Sequence, residues 1–193
     1  MKNNHHRIDV ALGERSYPVI LSHQGFTGLG NALKEVIDRT RVLLLTEDTV
    51  GPIWAPTVLD ELTSSGFSVE VITLPSGEAN KTVDTWALAV DSILRAGVDR
   101  STPILALGGG VLGDIVGFAA AASLRGMPFV QLPTTLLSMV DSSVGGKTGV
   151  NHHSGKNLVG AFHQPILVFA AISTLSTLDA VERNAGLGEV VKT

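Results

Sequence analysis

The spacing of apolar positions changes several times along this chain, and each change marks a change of element. Short apolar runs over residues 8–12 and 17–21, around a Gly13-Glu14-Arg15-Ser16 turn, predict two short strands. Phe26, Leu29, Leu33, Val36 and Ile37 then recur at helical spacing. Residues 41–46 read RVLLLT, an unbroken apolar run of strand length. Val58, Leu59 and Leu62 share one face of a second helix, and VEVITL within residues 68–74 predicts another strand. Val83, Trp86, Ala87, Val90, Ile93 and Leu94 form an amphipathic helix face, with Gly97 placed for a C-terminal cap. Residues 103–107 predict a strand, 112–124 a helix of small residues, and 127–132 and 166–169 two further strands.

Strands separated by helices predict an α/β fold: a Rossmann-like, mostly parallel sheet with helices on both faces. Ligands of such sheets gather at the carboxyl ends of the strands. Those ends hold Thr46-Glu47-Asp48, residues 75–81, residues 108–114 and Pro133-Thr134-Thr135.

Composition narrows the function classes. Of 193 residues, 44% are hydrophobic and 17% charged, which is incompatible with a disordered chain. No run approaches the roughly 18 apolar residues of a membrane span, so no membrane partner is expected. Lys plus Arg number 14 against 18 Asp plus Glu, a net charge of -4. That lacks the basic surplus of a nucleic-acid binder, so an anionic ligand needs a local cluster of cations. With no cysteine, disulfides, thiolate metal sites and cysteine nucleophiles are all excluded. The leading MKNNHHRIDV has no apolar signal-peptide core, and the expected compartment is the cytoplasm.

Gly108-Gly109-Gly110-Val111-Leu112-Gly113 fits G-x-G-x-x-G between a predicted strand and helix. Glycines allow a tight turn, and the helix N-terminus offers free N–H groups to a pyrophosphate. An ordinary dinucleotide site has an acid about 20 residues further on. Residues 127–132 hold none, and Asp48 and Glu78 after earlier strands are the alternatives. Gly146-Lys147-Thr148 looks like a P-loop ending, but Asp141 stands where that loop needs its first glycine. Residues 141–165 read as a long, Gly-rich, structured loop. Its Lys147 and Lys156, with Arg125, form either a phosphate or carboxylate clamp or ordinary surface charge. His152 and His153, as strand neighbours, are expected to point apart and to chelate poorly. Glu189 and Lys192 share a helix face at i,i+3, the spacing of an ordinary ion pair.

The runs PSGEANKT, GGGVLGDIVGFAAA, RGMPFVQLPTTLLSMVDSSVGGKTGVNHHSGKNLVGAFHQP and GLGEVVKT, in this order, resemble the 3-dehydroquinate synthase family of sugar-phosphate cyclases. The resemblance implies an NAD- and metal-dependent lyase of the shikimate pathway. It would convert 3-deoxy-D-arabino-heptulosonate 7-phosphate to 3-dehydroquinate and phosphate. In that reaction a ring hydroxyl is oxidised, phosphate is eliminated, the ketone is reduced back and the ring recloses by an aldol step. By matching motif, Asp48 and Ser76, Gly77, Glu78, Ala79, Asn80 and Lys81 are implied cofactor contacts. Gly110, Val111, Leu112, Gly113 and Asp114 would meet the pyrophosphate. Thr134, Thr135, Lys147, Lys156, Thr174, Leu175, Ser176 and Thr177 would complete the NAD site. Asp141, Lys147, Asn157 and Lys192 would face the substrate. Arg125 resembles a phosphate-binding arginine supplied by the neighbouring subunit of a homodimer. Glu189 resembles a carboxylate ligand of zinc or cobalt.

Members of the family are much longer than this chain. Residues 1–178 are expected to form the NAD-binding α/β domain, and residues 179–193 the start of a helical metal and substrate domain. On this reading the chain is a fragment with an incompletely liganded metal, inactive alone. The alternatives are a stand-alone nucleotide-binding module or a related cyclase.

Overall fold

The computed structural model describes residues 5–192. Strands β1 (His5–Val10) and β2 (Tyr17–Ser22) lead into α1 (Leu29–Val36), β3 (Arg41–Glu47) and α2 (Gly51–Ser64). Next come β4 (Ser68–Leu74), α3 (Val83–Arg95), β5 (Ile104–Gly108), α4 (Gly110–Ala122) and β6 (Phe129–Pro133). The chain ends with β7 (Lys147–His152), β8 (Gly155–Phe162), β9 (Leu167–Ala171) and α5 (Ala180–Lys192). The large sheet has the order β1-β2-β9-β6-β5-β3-β4. Only β1, at one edge, runs antiparallel to its neighbour.

The unbroken apolar runs arise because both faces of the sheet are covered. Along β3, Val42 and Leu44 pack into a core with Phe26, Leu29 and Leu33 around α1, and with Val58 and Leu62 of α2. Leu43 and Leu45 pack on the other face with Ala89 and Ile93 of α3 and Ile115 and Val116 of α4. After β3 the chain runs out to edge strand β4 and returns to β5 on the other side of β3. The helices of these two connections lie on opposite faces, so a crevice opens at the carboxyl ends of β3 and β5.

Polar groups fix the helix ends. Thr82 caps α3 by accepting the Thr85 N–H, and Gly97 follows that helix at φ +62°. Arg41 donates to the Ala96 and Gly97 carbonyls there. Glu61 of α2 accepts the Gly28 and Gly30 N–H groups at the start of α1. The helix expected from Phe26 onward begins only at Leu29, because Gly28 adopts φ +89°. Phe26 is nevertheless fully buried and stacks on Phe169.

The expected long loop over residues 141–165 is corrected. A short π-helical turn, Ser138–Ser142, leads into an antiparallel hairpin of β7 and β8. Its alternation is masked by glycines: Thr148 and Val150 point inward, while Gly149 faces Gly160 across the pair. His152 ends β7 and His153 lies in the turn, so strand alternation does not separate them. Their rings approach to 3.8 Å, which corrects the expectation that they point apart. Among the described residues, no group of three or more His, Cys, Asp or Glu side chains is placed to hold a metal. No helix among them is long and apolar enough to cross a membrane.

The Gly149–Gly160 pair lets the two backbones close. A methyl group at Gly160 would collide with the Thr148 carbonyl, and one at Gly149 would lie 2.6 Å from the Val159 oxygen. Both obstacles are backbone and cannot swing away. Gly160→Ala is expected to destabilise the chain by about 1–3 kcal/mol, through overpacking. Denaturant unfolding checks this, and an unchanged midpoint contradicts the close approach.

Candidate functional site

A cleft of about 790 Å³ opens at the crevice between β3 and β5. Its floor is the start of α4. Gly109 is the N-cap, and no side chain caps that end. A side chain at Gly110 would place Cβ 2.7 Å from Ser142 Oγ, so only hydrogen leaves the floor open. Thr134 Oγ1 and Ser142 Oγ, on residues lining the cleft, are buried without a hydrogen-bond partner. A helix start without a side-chain cap and two residues with unpaired hydroxyls thus adjoin one cleft.

Carboxylates stand on the other walls. Glu47, the last residue of β3, is only 8% exposed and lines the cleft. Burial raises its carboxyl above the ordinary glutamate range; a hydrogen bond from the Gly109 N–H pulls the other way, and Asp48 adds to the rise. Glu78 begins a short 3-10 turn, Glu78–Asn80, on the opposite wall. Partial burial works to raise it, but bonds from Asn151 and Lys156 and the charge of Lys81 outweigh this and hold it low.

Lys81 joins the walls. It is 6% exposed, and its Nζ lies 2.5 Å from Asp114 Oδ2 and 2.6 Å from Asn157 Oδ1. Burial raises the Asp114 carboxyl despite that partner. Asp114, Asp141, Ser142 and Asn157 line this cleft and also a neighbouring cavity of about 540 Å³. Lys147 lines the second cavity. On α5, Lys192 Nζ lies 3.0 Å from Glu189 Oε1. Its pKa is raised, chiefly by the bond to Glu189 and the charge of that carboxylate, with Asp141 adding to the effect.

The structure thus gathers Ser76, Gly77, Glu78, Lys81, Gly110, Val111, Asp114, Thr134, Thr135 and Thr177 around the first cleft. Other residues singled out in the sequence sit elsewhere. Asp48 does not line the cleft; its Oδ1 accepts the Ser76 N–H and so shapes the loop. Asn80 donates to the Ser76 carbonyl at 2.6 Å, closing the turn that carries Ala79. Leu112 and Gly113 are buried between α4 and the sheet. Thr174 donates to the Ala171 carbonyl at the end of β9 and Ser176 to the Ser173 carbonyl within the 3-10 segment Ile172–Thr177, which also holds Leu175. At its end, Thr177 accepts the Trp54 indole N–H. Lys156 pairs with Glu78 at 3.2 Å rather than lining either cavity. Arg125 lies past the far end of α4, roughly 20 Å along that helix from the cleft floor. Leu124 and Arg125 there hold φ of 48° and 64°, a conformation unusual for side chains of this kind.

Two residues escaped the sequence reading. Glu47 sat in a flagged strand end, but only the strand register tells it from Asp48. Asn151 lies in the hairpin that the sequence presents as loop.

Because burial raises Glu47, the folded chain holds its proton more tightly than the unfolded chain does. Stability from this group is full below the ordinary glutamate range and is lost as pH rises through the raised value. Glu47→Gln, which keeps an acceptor for Gly109, is therefore expected to raise the unfolding midpoint near pH 7. The gain should vanish near pH 4. Equal effects at both pH values would contradict the assignment.

Known proteins match both the sequence and the fold of this chain. The model of the 3-dehydroquinate synthase N-terminal family matches residues 71–185. A 3-dehydroquinate synthase of Desulforamulus reducens is 46% identical over 185 residues, covering 96% of this chain and 52% of the relative. The chain therefore spans about half the length of the curated relatives it matches. A solved 2-epi-5-epi-valiolone synthase from Streptomyces hygroscopicus, with NAD+ and Zn2+ bound, superposes with a TM-score of 0.84 at 35% identity. It covers 95% of this chain, and the match takes in 50% of that protein. A 2-deoxy-scyllo-inosose synthase, complexed with carbaglucose-6-phosphate, NAD+ and Co2+, gives a TM-score of 0.85 at 27% identity, over 97% of this chain and 51% of the other. With the family model covering more than half of its residues, this chain belongs to the 3-dehydroquinate synthase N-terminal family.

Proposed function

We propose that residues 1–178 form the NAD-binding domain of a 3-dehydroquinate synthase, and that residues 179–193 open its metal and substrate domain. The carrying observation is the cleft at the carboxyl ends of β3 and β5, lined by the start of α4, by Thr134 and Ser142 and by the carboxylate residues Glu47 and Glu78. That donor set fits a dinucleotide: the start of α4, Thr134 and Ser142 would meet the pyrophosphate, and Glu78 or Glu47 the ribose hydroxyls. Bound there, NAD supplies reversible hydride transfer at a ring hydroxyl carbon of the heptulosonate phosphate.

The chain's own residues would orient both ligands. Asp141, Lys147, Asn157 and Lys192 would contact the substrate, with the ammonium groups on its anionic oxygens. Asp114 and Asn157, held by Lys81, line both cavities and would set the two ligands side by side. Arg125 would serve the phosphate site of a second copy in a homodimer, which accounts for its distance from its own cleft and its strained backbone. The pathway and compartment proposed are the shikimate pathway and the cytoplasm.

A divalent metal fits less well. A catalytic zinc site takes about three protein ligands. Glu189 is the one carboxylate implied for the ion, and no group of three candidate ligands exists among the described residues.

Calorimetry on the 193-residue chain should show NAD binding and no tight zinc binding. Micromolar zinc affinity without an NAD response would overturn the reading. In a phosphate-release assay the chain alone should be silent, and a version extended by the second half of the Desulforamulus reducens relative should turn over. Turnover by the chain alone would show that the catalytic site is complete within it.

A further inference from the structure

Glu78 does not hold its place unaided. Asn151 Nδ2 donates to Glu78 Oε1 at 3.0 Å. The other end of the same amide, Oδ1, accepts the Asn157 backbone N–H at 2.9 Å. A backbone N–H can only donate, so this second bond fixes which end of the amide is oxygen and turns the NH₂ toward Glu78. Asn151 is itself anchored, because its N–H donates to the Lys81 carbonyl and it bridges to Thr82. Asn157 sits at φ +56°, and its side chain accepts from Lys81. One side chain therefore ties the loop that carries Glu78 to the hairpin and supports the left-handed backbone of Asn157 in β8.

We infer that Asn151 is the positioning residue of the Glu78 carboxylate: it holds Oε1 from the hairpin side and leaves Oε2 for a diol of the ligand. This rests on the reading of Glu78 as the ribose acceptor. Lys156 also lands on Oε1, at 3.2 Å, but its side chain is 76% exposed and solvent screens it. The amide is the directional partner; the ammonium is a mobile charge. The other charges facing Glu78 are Lys81, which favours its ionised form, and Asp114, which opposes it.

Two substitutions separate the roles of the amide. Asn151→Asp keeps the acceptor for the Asn157 N–H but sets a second carboxylate against Glu78. Asn151→Ala removes both bonds. The test is a double-mutant cycle on NAD affinity with Glu78→Ala, read by calorimetry. Glu78→Ala is expected to weaken NAD by about 10- to 100-fold, the loss of a charged hydrogen-bond acceptor. Asn151→Asp should weaken it about tenfold in the unsubstituted chain, and by less than about twofold once Glu78 is alanine. Independent, additive losses would overturn the inference, because Asn151 would then act other than through Glu78.

A second measurement needs no cofactor. The Glu78 carboxyl, followed by NMR in the ligand-free chain, should titrate at higher pH in Asn151→Ala than in the unsubstituted chain. An unmoved titration overturns the inference even if affinity falls. Failure of the unsubstituted chain to bind NAD overturns the cofactor reading instead, while the titration still decides whether Asn151 holds Glu78.

Discussion

A buried ammonium holds three separate segments of this chain together. Lys81 leaves the loop after β4, meets Asp114 on the second turn of α4, and meets Asn157 on β8. α4 is fixed by the core, but the loop is short and the hairpin is a separate two-stranded sheet, so this contact ties both to the helix. Desolvating a charge is costly, and the cost is recovered only with an opposite charge and full hydrogen bonding in place. Asp114 supplies the charge, and it and the Asn157 amide take two of the three N–H donors of the ammonium. The wall shared by the two cavities is built on this contact.

The sheet explains why the contact lies where it does. The chain reverses its direction of travel across the sheet between β3 and β5, and helices on opposite faces hold the crevice open. Glycines at the start of α4 let the backbone approach that crevice without side chains in the way. The hairpin then folds over α4, burying Val150 in the same core as Ile115 and Val116. Its inward face thus packs the fold, and Asn151, Lys156 and Asn157 meet the loop that follows β4. Folding and ligand geometry share these elements, so a change at one is felt at the other.

Much of this was legible in the sequence. The RVLLLT run read correctly because sheet burial on both faces leaves a simple period. The inward face of α3 read only in part: Ile93 is buried and Trp86 and Val90 half-buried, but Thr85 and Ala89 complete that face, while Val83, Ala87 and Leu94 are exposed. The glycine turn read correctly because its strand and helix flanks are strong. The hairpin did not, since paired glycines at Gly149 and Gly160 erase the alternation that marks a strand. Nor could spacing separate Glu47 from Asp48, because adjacent carboxylates differ only in which face of a strand end they occupy. Arg125 shows a further limit: its motif resembles a phosphate-binding one, but the structure places it past the far end of α4, roughly 20 Å along that helix from the cleft floor, which the order of residues along the chain does not reveal. Asn151 carried no signal at all, since its role exists only once the hairpin and the loop have met.

The central claim is that the crevice between β3 and β5 binds a dinucleotide with its pyrophosphate at the start of α4. Amide NMR of the chain titrated with NAD tests it most directly. The account predicts the largest shifts at Gly109–Val111, Glu78 and Thr134, with Arg125 and the β1–β2 edge unmoved. Shifts confined to that edge, or none at saturating NAD, would contradict it.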